Sequence, residues 1–64
     1  MKFILNPEEA RFFHNRRLEL KLTQDELASK AHLSKRTVDN IEKARRTYFA
    51  ETTIIRLCQV LDIR

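Results

Sequence analysis

A chain of 64 residues is long enough for one domain, and at that size only about 60% of the unfolded chain's surface is buried, which leaves little room for an enclosed catalytic pocket. Thirteen Lys and Arg against nine Asp and Glu give a net charge of +4 and a pI near 9.7, a balance that favours a polyanionic partner. Hydrophobic residues make up 42% and charged residues 34%, which suits a globular domain and not a disordered tail.

The helix boundaries are read from caps, because the chain has no Gly and a single Pro, Pro7. Asn6-Pro7-Glu8-Glu9 supplies an N-cap, a Pro at the first helical position and an acid three residues after the cap. Ala10, Phe13, Arg17 and Leu20 then recur at helical spacing and predict a first helix over about 7–20. Leu5 stands where a hydrophobic staple against Ala10 would form. Thr23-Gln24-Asp25-Glu26 is a capping box, and Leu27, Ala28 and Ala31 follow on one face of a short second helix, about 24–31.

Ser34 is the next N-cap, with Val38 and Ile41 as the apolar stripe of a third helix over about 35–43. Residues 44–50 read as a loop. Ile54, Leu57, Cys58 and Leu61 mark a final helix. No strand is expected. The result is a single all-α domain over 1–64, a compact bundle of four short helices with a helix-turn-helix at about 23–43.

The segments Leu22 to Ala28, Leu33 to Val38, Ile41-Glu42 and Leu57 to Leu61 together make the chain resemble the lambda-repressor-like (Cro/XRE) family of DNA-binding domains. The resemblance covers about residues 10–63. It implies a lambda-repressor-like fold with the third helix as the major-groove reader. Lys35, Arg36 and Asn40 match the positions that touch base edges. Their chemistry suits that task, since Arg and Lys donate to guanine and Asn pairs bidentately with adenine. Thr23, Gln24, Ser34, Thr37, Lys43, Arg45 and Arg46 are the corresponding phosphate candidates. Arg17 and Glu42 match a structural ion pair between the first helix and the end of the reader.

Three departures stand out. His32 and Ala44 occupy turn positions where the family usually has Gly, and a left-handed backbone there costs about 1 kcal/mol or more. Asp39 lies among cations on the reader as either an electrostatic liability or an acceptor for a cytosine amine. Many relatives continue into a fifth helix beyond the position of Arg64, so the count of four or five helices and the possibility of a longer parent chain stay open.

The implied function is sequence-specific binding of double-stranded DNA by a bacterial or phage transcriptional regulator, a repressor, acting as a homodimer on a two-fold site. An antitoxin-type autoregulator is one setting for it. The alternative is a protein-interaction or oligomerisation module of a larger signalling protein. Phe12, Tyr48 and Phe49 are its best support, and packing of Phe12 on Phe3 and Ile4 is the equal competing reading.

No enzyme is expected, because no base, nucleophile and stabiliser converge at a recognisable spacing. No cofactor or metal is expected either: His14 and His32 are isolated, and Cys58 belongs to an apolar stripe. A membrane partner is not expected, because no apolar run reaches the ~18 residues of a span and the narrow apolar faces are needed for the core. Met1 to Leu5 is too short for a secretory signal and the lone Cys58 cannot form an intramolecular disulfide, so a cytoplasmic location is expected.

Overall fold

The computed structural model describes residues 2–44 and 48–63. Strand β1 (Lys2–Ile4) leads into helices α1 (Pro7–Glu19), α2 (Gln24–Ala31) and α3 (Lys35–Glu42), followed by strand β2 (Tyr48–Ala50) and helix α4 (Glu51–Val60). Three helices begin on side-chain caps. Asn6 and Thr23 each close a reciprocal capping box, with Glu9 and Glu26 respectively, and the Ser34 hydroxyl accepts from the Thr37 N–H. Two orphan donors are satisfied at each box, which is what fixes the register of α1 and α2.

Helix ends raise a different problem, because this chain has no glycine. Lys21, His32, Ala44 and Asp62 all carry positive φ, between 51° and 58°, one after each helix. The left-handed residue turns the chain so that the last carbonyls are satisfied: Leu22 N–H donates to Arg17, Leu33 N–H to Ala28 and Ile63 N–H to Cys58. A side chain in that region costs roughly 1–2 kcal/mol relative to glycine. His32 thus adopts the conformation that its place in the turn demands.

The two strands correct the expectation of no strand and, at Tyr48–Ala50, of a loop over 44–50, of which residues 45–47 lie outside the described residues. They pair antiparallel, with Phe3 opposite Phe49 and Ile4 opposite Tyr48. Three residues are too few to show a period in sequence, and each strand is made by a partner far away in the chain. The ribbon gives Phe49 to the core while Tyr48 and Ile4 stay exposed, so Phe49 does not join Tyr48 and Phe12 in an exposed aromatic group.

One apolar cluster sits between the helices and draws on every helix and on the ribbon: Leu5, Phe13, Leu27, Ile41, Phe49 and Leu57 are among its members. Leu5 and Ala10 are both buried where a staple holds the chain entering α1. Ala28 is buried on α2, where the helix packs against both α3 and α4. Leu20, expected on the inward stripe of α1, is instead 37% exposed as the residue that caps the helix. Cys58 is half-buried against the core, and desolvation pushes its thiol above the usual value.

Candidate nucleic-acid interface

The reader helix α3 is fixed from behind by Val38 and Ile41, which are 1% and 0% exposed. Helical geometry then turns Lys35, Arg36, Asp39 and Lys43 to another face. Lys35, Arg36, Asp39 and Lys43 share one groove with Gln24, a concavity of about 450 Å³ between the start of α2 and α3. Asn40 is half-buried one turn beyond Arg36 and does not line that groove. A second concavity of about 510 Å³ holds Thr23, Gln24 and Lys35 beside Arg17 and Lys21. Gln24 therefore stands where several surface depressions meet.

The capping residues keep chemistry to offer. Thr23 Oγ1 accepts from the Glu26 N–H at 3.1 Å, and an accepting hydroxyl still has its own proton to donate. Ser34 and Thr37 are joined through their hydroxyls at 2.9 Å at the start of the reader. Arg45 and Arg46 lie outside the described residues.

Behind the groove, a polar cluster ties three helices together. Arg17 Nε donates to Glu42 Oε2 at 2.7 Å and Arg17 Nη2 to Oε1 at 3.0 Å, a bidentate pair. Arg17 Nη1 donates to the Leu22 carbonyl at 2.8 Å, which fastens the same guanidinium to the turn before α2. His14 Nδ1 lies 2.7 Å from Glu42 Oε1, and Gln24 Nε2 donates to that oxygen at 3.3 Å. The Arg17 and Glu42 side chains are only 9% and 3% exposed. Burial by itself would raise the Glu42 carboxyl, but hydrogen bonds from Arg17, His14 and Gln24, with the Arg17 charge, outweigh it and hold the group below its ordinary value. Among the described residues, no buried side-chain nitrogen or oxygen lacks a partner.

Sequence reasoning missed two contacts of this arrangement, His14 with Glu42 and Gln24 with Asp39. His14 stands one turn before Arg17 on α1, so its i, i+3 spacing was the available signal. Gln24 donates to Asp39 Oδ1 at 3.3 Å, and Lys43 Nζ lies 3.2 Å from the same oxygen. Asp39 thus holds two cationic or donor groups of the groove from within the reader helix. Nothing in the spacing of Gln24 and Asp39, on different helices, announces that contact.

A helix-turn-helix with a cation-rimmed outer groove defines the class, and the chain belongs to the Cro/C1-type helix-turn-helix family, whose model matches residues 14–64. Its fold is that of DNA-binding transcriptional regulators. Among solved structures, the restriction-modification controller protein C.AhdI from Aeromonas hydrophila is similar, with 25% identity and a TM-score of 0.79 over 86% of this chain and 82% of that one. No curated protein matches the chain. Among the described residues, no helix is long and apolar enough to cross a membrane.

Proposed function

We propose that the chain is a sequence-specific, double-stranded-DNA-binding transcriptional regulator that lays α3 in the major groove, with Lys35, Arg36 and Asn40 meeting base edges. The observation that carries this reading is the groove itself. Lys35 and Arg36 are exposed on the reader, and the Gln24 amide and Lys43 ammonium share their depression. Base edges supply the acceptors for the Lys35 and Arg36 donors, whereas phosphates position the helix without reading sequence. Thr23, Gln24, Ser34, Thr37 and Lys43 take the phosphate roles, joined by Arg45 and Arg46. The fixed Arg17–Glu42 pair holds the end of the reader at a set angle to α1.

The protein acts as a homodimer on a two-fold site, with half-sites about 34–36 Å apart, and represses transcription from the cytoplasm. Similarity to a restriction-modification controller protein supports control of a restriction-modification system as one setting. The second reading, an interaction module, draws on Ile4, Phe12 and Tyr48, which are 64%, 54% and 55% exposed.

Selection from a random duplex pool at moderate salt tests the choice, with Lys35→Ala, Arg36→Ala and Asn40→Ala combined in a parallel variant. A palindromic motif that the triple variant fails to enrich is expected. Uniform, salt-sensitive binding with no motif would remove the regulator reading and promote the interaction module.

A further inference from the structure

Gln24 and Lys43 line a further concavity besides the reader groove. It measures about 400 Å³, lies between α1 and the end of α3, and brings Arg11 and His14 to the same depression as Gln24, Glu42 and Lys43. Its one acid is already answered within the protein, because Glu42 receives Arg17 at both oxygens and His14 and Gln24 at one. What is left for a ligand is a positive mouth. Lys43, 56% exposed at its side chain, keeps an ion pair to Asp39 at 3.2 Å and His14, 42% exposed, a contact to Glu42, whereas Arg11 is exposed with no hydrogen bond or ion pair to any described residue and is the mouth's uncommitted cation.

We propose that this concavity seats a backbone phosphate of the bound duplex, so that α1 takes part in the DNA grip through Arg11 and His14. The inference rests on the DNA-binding reading and extends it to a helix outside the helix-turn-helix. The two shared walls place the seat directly beside the reader groove. A duplex carries a charge about every 3.4 Å of each strand, so a surface flanking a major-groove reader meets further phosphates. A guanidinium is the side chain best shaped for them, since its planar fork takes two oxygens at once. Arg11 lies before residues 14–64, the stretch that the family model matches.

The test uses the full chain and two duplexes, the sequence that wild type selects and a scrambled control, each titrated across a salt series. Arg56→Ala is the reference, because Arg56 is an exposed cation on α4 that lines none of the three concavities described above. Arg11→Ala is expected to weaken binding to both duplexes alike, about three- to tenfold, and to make the slope of log affinity against log salt shallower by about 0.9. The selected motif stays the same, because a phosphate contact carries no sequence information. Arg11→Lys recovers the slope but not the whole affinity, and Arg56→Ala leaves the slope unchanged. An Arg11→Ala slope equal to wild type, or an equal change in Arg56→Ala, overturns the proposal while the regulator reading stands. Wild type that binds neither duplex would overturn both.

Discussion

The seam between α1 and α3 and the seam between α2 and α4 hold this domain by opposite chemistry. The first is polar: Glu42 receives Arg17 and His14 at 2.7–3.0 Å, and each contact depends on direction. The second is apolar, with Leu27, Ala28 and Ala31 on one helix and Ile54 and Leu57 on the other, all members of one buried cluster. Apolar contacts tolerate rearrangement at similar volume, and a buried ion pair does not. The difference teaches a division of labour. The apolar seam is part of the core whose burial drives folding, and the polar seam fixes the end of α3 to α1.

The largest expected effect follows from that contrast. Glu42→Ala leaves the Arg17 guanidinium buried without its carboxylate, a loss of roughly 3–5 kcal/mol. That is a large fraction of the stability of so small a domain. Leu57→Met, at a site only 1% exposed, is expected to cost less than about 1.5 kcal/mol because volume is conserved. Glu9→Ala falls between small and moderate, about 1 kcal/mol, since it removes half of an exposed capping box. Thermal or urea unfolding of the three variants checks the order. Comparable melting points for Glu42→Ala and Glu9→Ala would break the comparison.

A smaller effect sharpens it through pH. Glu42 is held below its ordinary value in the folded state, so its contribution is fully present above about pH 4.5 and is lost as pH falls through the folded value. Glu26 is also lowered, by the backbone N–H and then the hydroxyl of Thr23, so it titrates in the same region and must be separated out. Glu42→Gln does this. Its stability deficit against wild type is expected to shrink steadily as pH falls below about 4.5, because a protonated Glu42 resembles Gln. A deficit that does not change with pH would mean that the carboxylate charge has no part in the seam.

The same contrast decides what could be read from the sequence. Asn6, Thr23 and Ser34 announced three helix starts because each cap is made within four residues. Helix α4 begins on Ala50 with no side-chain cap bond, so nothing local separated it from the strand before it. The ribbon depends on pairing Lys2–Ile4 with Tyr48–Ala50 across the whole helical core, and no local pattern encodes such a partner. In the candidate site, Lys35 and Arg36 were legible from their place at the start of the reader, and Arg17 with Glu42 from the family resemblance. Gln24 with Asp39, and His14 with Glu42, are contacts between helices. Their residue types allow many partners, and only the packing angle of α1, α2 and α3 chooses among them.

The smallest effect concerns the four left-handed residues, where the absence of glycine leaves strain in place. Ala44 has φ of 51° and no polar side chain to compensate, whereas Asp62, with φ of 55°, belongs to a type that tolerates this region. Ala44→Gly removes the clash of Cβ with the backbone but gives up a methyl group packed against the core, and the unfolded chain gains freedom. The balance is expected to be a gain of about 0.5–1 kcal/mol, a rise in melting temperature of roughly 2–8 °C for a domain of this size. Asp62→Gly is expected to change it by less than about half as much. A fall in stability for Ala44→Gly would mean that the methyl contact outweighs the strain. The end of the reader helix would then be held by apolar packing at Ala44 as well as by the Arg17–Glu42 pair, and the division between the two seams would not extend to that turn.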